Sequence, residues 1–328
     1  MPRIRDCVVV ITGASSGIGR ACALEFARRG ASVVVSGRRE ESLEDLASAC
    51  RRLGGRALAL PVDVTDEHGA RALARRAVEQ LGRIDVWVNN AAVTLLGRFL
   101  EVPPEVFRQV IETNLFGYVH GARAVLPYFH EQGRGVLINN ATIFGRVGAP
   151  FLSGYVTSKF AILGLTESLR QEVRRDGIHV CAVLPASIDT PLFQHAANFS
   201  GRAIRPIEPI SSPARVARAI VGCARWPRPR ILVGRGARRM ILARALLGPL
   251  GERLVARQVE REHFDPWPAP PSTGNLFSFG PRANSMTGGW REASGSRRGW
   301  AAPLFIGAAL AASGALIFRG WRSALARA

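Results

Sequence analysis

Short apolar runs alternate with longer amphipathic stretches over the first 235 residues of the chain. The first run, residues 6–12, is continuously apolar apart from its ends, which is typical of a strand buried on both faces. Further strands are predicted at residues 31–36, 56–62, 84–88, 135–139, 178–184 and 231–234. Helices are predicted in the intervals, at residues 40–53, 66–81, 103–129 and 153–175, after a first one that ends near residue 29. This alternation predicts an α/β fold with a doubly wound parallel sheet and right-handed crossovers.

A glycine-rich turn joins the first predicted strand to the first predicted helix. Residues 13–19 run Gly-Ala-Ser-Ser-Gly-Ile-Gly. Glycines let the backbone approach a pyrophosphate closely, and the N-terminal end of a helix favours an anion. The spacing is Gly-x-x-x-Gly-x-Gly, which differs from the more familiar Gly-x-Gly-x-x-Gly. In this setting the turn predicts a dinucleotide site.

The ends of the second and third predicted strands indicate which dinucleotide binds. NAD sites place an acidic residue at the end of the second strand, whereas this chain has Arg38 and Arg39 after Gly37. A guanidinium group can pair with a 2′-phosphate, so Arg38 favours NADP(H). NAD(H) is the alternative cofactor, because arginine is common throughout the chain. Asp63 ends the third strand, where its carboxylate can accept a hydrogen bond from the adenine amino group.

Tyr155 and Lys159 form the main candidate for chemistry. A spacing of four places the phenol and the ammonium group on one face of a helix. A free phenol has a pKa of about 10, and a nearby cation lowers it towards the range of a general acid/base. Lysine and arginine together number 44, and Lys159 is the only lysine in the sequence. The pair therefore predicts a proton-transfer site.

These motifs together resemble the classical short-chain dehydrogenase/reductase family over about residues 5–235, with its Rossmann-type fold. The run at residues 12–19 resembles the cofactor loop of the family, and Asn-Asn-Ala at residues 89–91 resembles its Asn-Asn-Ala-Gly motif. The resemblance implies four catalytic residues, with threonine in place of the usual serine: Asn114, Thr142, Tyr155 and Lys159. It implies these cofactor-binding residues: Gly13, Ser15, Ser16, Gly17, Ile18, Gly19, Arg38, Asp63, Val64, Asn90, Ala91, Tyr155, Lys159, Ile188 and Thr190.

The resemblance implies the interconversion of an alcohol and a ketone or aldehyde. Tyr155 would pass the proton, Lys159 would lower the pKa of Tyr155 and bind the nicotinamide ribose, and Thr142 would polarise the carbonyl. Asn114 would support a water relay to Lys159. Apolar residues in the predicted substrate loop, residues 191–211, favour a lipophilic substrate. The alternative is a catalytically weak or silent nucleotide-binding sensor or scaffold, which the unusual threonine and Ala186 suggest.

Composition and charge narrow the compartment and the partners. The five cysteines are scattered, which predicts reduced thiols in a cytosolic compartment, and no metal site is predicted. The net charge of +19 invites a nucleic-acid interpretation, but arginines occur in every predicted helix without an aromatic-interleaved block. We therefore predict no nucleic-acid partner, and an anionic membrane surface suits the charge better. The family resemblance implies a homodimer or homotetramer.

The C-terminal third of the chain changes character after the last predicted strand. Residues 1–235 are predicted to form the catalytic domain, 236–264 a helical extension, 265–299 a flexible linker and 300–321 a transmembrane helix. Residues 301–318 are 18 residues without a charge, about the span of a bilayer core, although a helix buried on the domain is the alternative. We expect a membrane-associated protein with its catalytic domain on the cytoplasmic side. A chain that ends near Phe264 is expected to keep its turnover.

Overall fold

A sheet of seven parallel strands forms the centre of the computed structural model, which describes residues 3–234, 236–278 and 284–296. The sheet strands are β1 (Val8–Ile11), β2 (Ser32–Gly37), β3 (Ala57–Pro61), β4 (Val86–Asn89), β6 (Gly135–Asn140), β7 (Ile178–Pro185) and β10 (Arg230–Val233). They lie in the order β10-β7-β6-β4-β1-β2-β3. The predicted doubly wound parallel sheet is confirmed.

Helices cover both faces of this sheet. In order along the described residues, the helices of the chain are α1 (Gly17–Ala27), α2 (Glu40–Arg52), α3 (Glu67–Leu81), α4 (Pro104–Ile111), α5 (Gly117–Gln132), α6 (Ser153–Glu172), α7 (Pro213–Arg225), α8 (Ala237–Leu247), α9 (Pro249–Glu262) and α10 (Trp290–Ser296), of which α1, α2 and α7 pack in the core on one face of the sheet and α3 and α5 in the core on the other. Along β1, Val9 and Ile11 pack in one core and Val10 packs in the other. Both faces of the strand are therefore dry, which is why its sequence is continuously apolar rather than alternating.

The single helix predicted over residues 103–129 is interrupted in the structure. A π-helical turn at Glu112–Phe116 separates α4 from α5. Asn114 lies within this turn and is completely buried. Such turns are frequent at functional sites, and an apolar period in sequence does not reveal them.

Two small sheets tie the later part of the chain to the domain. β5 (Leu95–Leu96) pairs with β8 (Ala197–Asn198), and β9 (Arg202–Ile204) pairs antiparallel with β11 (Phe264–Pro268). Leu276 has no solvent exposure and lies in an apolar cluster with residues of the first half of the chain. Residues 265–278 were predicted to be flexible linker; strand pairing and apolar burial instead pack them on the domain.

The last part of the C-terminal region lies outside the residues that the structure describes. The predicted transmembrane residues 300–321 lie outside the described residues. Within the described ranges, no helix combines the length and the apolar character needed to cross a membrane. By its contacts the chain divides into residues 1–291 and residues 292–328, and the site described below belongs to the first unit.

Candidate active site and cofactor pocket

A pocket opens at the carboxyl ends of the sheet strands, where dinucleotides bind in open α/β folds. The predicted site residues that line it are Gly13, Ser15, Ser16, Gly17, Ile18, Arg38, Asp63, Val64, Asn90, Ala91, Thr142, Tyr155, Lys159, Ile188 and Thr190. Two predicted site residues, Gly19 and Asn114, are not in its lining and act from behind it. The structure thus brings together residues that are far apart in the sequence.

The glycine turn after β1 is held by contacts that leave no room for side chains. A Cβ atom on Gly13 would lie 2.5 Å from the Cα of Ala91, and the φ of Gly13 is +62°. A Cβ atom on Gly19 would lie 2.3 Å from the carbonyl oxygen of Gly13. The side-chain amide of Asn90 donates to the carbonyl oxygens of Thr12 and Gly13, at 3.0 Å each. The turn is therefore a close-packed cradle, and Gly19 supports it from the helix side.

Two arginines follow β2 at one end of the pocket. Arg38 donates through Nη2 to the carbonyl oxygen of Asn275 (2.7 Å) and through Nη1 to that of Leu276 (3.2 Å). Arg39 donates to the hydroxyl of Ser15 at 2.9 Å. The C-terminal segment therefore orients the guanidinium group of Arg38 at the pocket. Cationic groups here, together with the glycine cradle, fit a phosphorylated dinucleotide.

Asp63, which follows β3, and Gly17, at the start of α1, complete the cofactor end. Asp63 accepts through Oδ1 from the backbone N–H of Thr65 (3.0 Å) and from its hydroxyl (2.9 Å). These bonds fix the carboxylate at the end of β3, where the adenine role was predicted. The backbone N–H of Gly17, at the start of α1, donates to the carbonyl oxygen of Ser285 at 3.0 Å. The segment after residue 284 therefore also reaches the edge of the cofactor end.

Tyr155 and Thr142 both line the pocket, and the hydroxyl of Thr142 acts on the phenol from close by. Tyr155 lies in the first turn of α6, and Thr142 follows β6. The hydroxyl of Thr142 donates to the carbonyl oxygen of Pro185 at 3.1 Å. Threonine therefore supplies a fixed hydroxyl beside the phenol, the arrangement expected from serine at this position.

Burial decides the protonation of the tyrosine and the lysine. It raises the pKa of Tyr155 to about 12, against the lowering effect of the nearby Thr142 hydroxyl. It also lowers the pKa of Lys159 to about 7. Desolvation of the phenol is the largest influence on its pKa here, and the effect of Lys159 on that pKa stays a prediction. Tyr155 is protonated at neutral pH in this geometry.

Lys159 is held in a buried position between two aromatic rings. Its Nζ lies 5.6 Å from the ring centre of Tyr155 and 5.2 Å from that of Tyr118. It donates to the carbonyl oxygen of Asn140 at 3.4 Å, and the hydroxyl of Tyr118 donates to the same oxygen at 2.8 Å. Lys159 is the only lysine of the chain and is 1% exposed, so its ammonium group has a defined place rather than a solvated one.

Asn114 connects the wall of the pocket to the helix that carries Tyr155. Its side-chain oxygen accepts from the backbone N–H of Val93 (2.9 Å), and its amide donates to the carbonyl of Val93 (3.0 Å) and the hydroxyl of Ser158 (3.1 Å). Ser158 in turn donates to the carbonyl oxygen of Tyr155 at 2.7 Å. Asn114 therefore positions α6, while its predicted part in a water relay stays a prediction.

Sequence reasoning missed most of the substrate end of the pocket. Phe193 and His195 lie in the predicted substrate loop and line the pocket, whereas Phe144, Leu152, His263 and Asn275 line it without having been predicted. His263 and Asn275 come from the segment predicted to be extension and linker. No sequence signal distinguishes His263 from the five other histidines. Asn140 was also missed, although its place directly after the fifth predicted strand is a signal that could have identified it.

A protein-family model described as short chain dehydrogenase matches residues 7–200, more than half of the chain. The chain belongs to this family, and it is an oxidoreductase of the family that binds nicotinamide cofactors. The match ends before the segments that supply His263 and Asn275.

Relatives and solved structures agree with this assignment. The chain is 37% identical to the uncharacterized oxidoreductase YxnA of Bacillus subtilis, over 80% of this chain and 73% of that protein. It is 32% identical to the 3-oxoacyl-[acyl-carrier-protein] reductase FabG of Thermotoga maritima, over 67% of this chain and 90% of that protein. An alcohol dehydrogenase structure from Thermococcus sibiricus, complexed with 5-hydroxy-NADP, matches with a TM-score of 0.62 and 26% identity over 69% of this chain and 95% of that one.

Proposed function

We propose that the protein is an NADPH-dependent reductase that acts on a ketone or an aldehyde. We further propose that this substrate is lipophilic. The observation that carries the proposal is the pocket itself, which brings Tyr155, Thr142 and Lys159 together with the glycine cradle. A protonated phenol is the form that donates a proton, so this geometry favours carbonyl reduction. The 5-hydroxy-NADP in the Thermococcus sibiricus structure supports NADP(H) as the cofactor.

The residues divide the work of reduction between proton supply and positioning. When bound, NADPH supplies the hydride that the carbonyl carbon receives. Tyr155 gives its hydroxyl proton to the carbonyl oxygen, and the hydroxyl of Thr142 stabilises the negative charge that develops there. Lys159 holds the nicotinamide ribose, and Ile188 and Thr190 hold the carboxamide. The products are the alcohol, NADP⁺ and a phenolate that regains its proton from solvent.

The character of the substrate end supports a lipophilic substrate. The apolar side chains of Phe144, Leu152, Leu192 and Phe193 line it. Leu152 is 1% exposed, so it forms part of a dry wall. Burial of an apolar substrate against such side chains contributes roughly 25 cal/mol per Å² of apolar area removed from water.

The test is NADPH oxidation by the purified protein over a panel of ketones and aldehydes of increasing chain length. Tyr155→Phe should lower kcat by about 10²- to 10⁴-fold, because only the proton donor is lost. The affinity for NADPH should change by less than about threefold, since the phenylalanine ring fills the same space. A variant with more than a tenth of the wild-type kcat would contradict the role of Tyr155. Wild-type protein that binds NADPH and reduces no carbonyl compound would favour the silent sensor or scaffold.

Membrane attachment and self-association are separate proposals. The uncharged residues 301–318, flanked by Trp300 and Trp321, support an anchor that leaves the catalytic domain on the cytoplasmic side. Full-length protein should then sediment with membranes and resist carbonate extraction, and its recovery in the soluble fraction would contradict the anchor. A homodimer or homotetramer is proposed from the family, and sedimentation equilibrium in detergent tests it.

A further inference from the structure

His263 is a buried histidine fixed between α9 and β11. It is 1% exposed. Its backbone N–H donates to the carbonyl of Val259 at 2.9 Å, and its carbonyl accepts from the N–H of Arg205 at 3.0 Å. The next residue, Phe264, begins the strand that pairs with β9. The backbone on both sides is therefore held, and the imidazole has a defined place.

The hydrogen bond of the ring fixes its tautomer. Nδ1 contacts the carbonyl oxygen of Arg205, which can only accept, so Nδ1 carries the hydrogen. Burial lowers the pKa of His263 to about 4, so the ring is neutral at physiological pH. A neutral imidazole with hydrogen on Nδ1 has a lone pair on Nε2. Apart from this contact with a backbone carbonyl, the ring has no hydrogen bond to a side chain among the described residues.

His263 lies at the pocket, and the ring edge opposite to Nδ1 is the one not bonded to Arg205. His263 is part of the pocket lining, whereas Arg205, the partner of Nδ1, is not. The edge of an imidazole opposite to Nδ1 carries Nε2 and Cδ2. Phe193, from the substrate loop, packs on the ring edge-to-face with 5.2 Å between ring centres. Nε2 is thus the ring nitrogen not bonded to Arg205, in a residue that lines the pocket beside Phe193.

We propose that Nε2 of His263 accepts a hydrogen bond from a hydroxyl group that the substrate carries away from its reacting carbonyl. The substrate class would be a lipophilic hydroxyketone or hydroxyaldehyde. This inference rests on the proposed carbonyl reduction. A buried acceptor left without a donor is costly, so the site would reject the matching ketone that lacks the hydroxyl.

The test compares alkan-2-ones with hydroxyalkan-2-ones of equal length whose hydroxyl is moved stepwise along the chain. With wild-type protein and NADPH, kcat/KM for at least one hydroxyketone should exceed that of its parent by about tenfold or more, mainly through KM. His263→Asn keeps an N–H for the carbonyl of Arg205 but removes the acceptor at Nε2. It should reduce the preference to within about twofold. His263→Gln places an amide oxygen near Nε2 and should retain part of the preference.

His195 provides the matched control, since it is the other histidine in the pocket lining. His195→Asn should keep the preference for the hydroxyketone, and its loss there instead would overturn the assignment to His263. Unchanged preference in His263→Asn would overturn it as well. Chemical denaturation of each variant reports folding independently of substrate choice. Turnover of every parent and hydroxyketone at equal kcat/KM by wild-type protein overturns this inference alone, whereas no turnover of any ketone overturns the proposed function.

Discussion

The two ends of the pocket are built in different ways. At the cofactor end, the glycine turn, Arg38 and Asp63 follow sheet strands, and backbone meets backbone, as where Gly13 contacts Ala91. At the substrate end, Phe193 and His263 come from segments that are far apart in the sequence and meet through their rings, whose centres are 5.2 Å apart. The dinucleotide cofactor has the same shape in every reaction, so a rigid binding surface made of backbone suits it. A substrate end made from side chains can change without disturbing the sheet.

Alanine at Gly19 should break the cofactor end with the largest effect. Its Cβ would lie 2.3 Å from the carbonyl oxygen of Gly13 and 2.6 Å from the side-chain nitrogen of Asn90, so the cradle has to move. We expect NADPH affinity to fall by about a hundredfold, and the free energy of unfolding by about 1–3 kcal/mol. Titration of NADPH fluorescence and chemical denaturation measure the two effects.

Gly222→Ala is the matched control for this change. Gly222 lies on the exposed side of α7, and a Cβ atom there meets nothing within 4 Å. Alanine in a helix is favoured over glycine, so this variant should bind NADPH normally and be more stable by about 0.5–1 kcal/mol. Equal NADPH affinity in both variants would show that the cradle does not depend on Gly19.

Truncation should separate the segment that completes the pocket from the tail beyond it. A chain that ends at Phe264 loses most of β11, the buried Leu276 and the carbonyl groups that hold Arg38. We expect kcat/KM to fall by at least about tenfold and unfolding to occur several degrees lower, since loss of one buried leucine side chain costs about 2–5 kcal/mol. A chain that ends at residue 296 should retain both properties.

Two point variants sharpen the same comparison without truncation. Leu276→Ala should lower the free energy of unfolding by about 2–5 kcal/mol, because the side chain is completely buried. Phe277→Ala should change it by less than about 0.5 kcal/mol, because that ring is 54% exposed. Full turnover by the chain ending at Phe264 would support the expectation drawn from sequence and contradict the packed segment.

The difference between the two ends also decides what the sequence could predict. Each strand of the large sheet was predicted within two residues, since burial on both faces leaves a continuous apolar run. The glycine turn, Tyr155 and Lys159 were predicted because each is a local motif beside such a run. The π-helical turn around Asn114 and the pairing of β9 with β11 were missed. Both depend on contacts between distant residues, which a local pattern does not contain.

The pKa of Tyr155 was the part of the chemistry that the motif did not predict. The spacing of Tyr155 and Lys159 correctly placed both groups in one pocket. Burial then raises the pKa of the phenol to about 12, and the burial fraction of a side chain is not encoded in a spacing of four. The same burial acts on the lysine and makes it a second, measurable probe of the pocket.

Arg38→Asp should change cofactor choice at the cofactor end with a smaller effect. Arg38 would lose its charge-assisted contact with the 2′-phosphate, so the ratio of kcat/KM for NADPH to that for NADH should fall by about tenfold or more. Arg253→Asp, on the exposed side of α9, makes the same charge change away from the pocket and should leave the ratio unchanged. Equal ratios in wild-type protein and Arg38→Asp would assign cofactor choice to another group.

Lys159→Met should have the smallest effect, on the pH dependence of stability without added cofactor. Burial lowers the pKa of Lys159 from 10.5 to about 7, so between these values the unfolded chain binds a proton that the folded chain does not. Stability attributable to this group therefore rises with pH across that window.

From about pH 7 to about pH 8.5 the unfolding temperature of wild-type protein should rise by a few degrees relative to Lys159→Met. Tyr155→Phe is the control: the pKa of the phenol is raised to about 12, outside this window, so that variant should keep the wild-type slope. If the unfolding temperatures of wild-type protein and Lys159→Met change equally with pH, the lysine stays protonated in the folded protein. Water would then reach Lys159 where the cofactor end and the substrate end of the pocket meet.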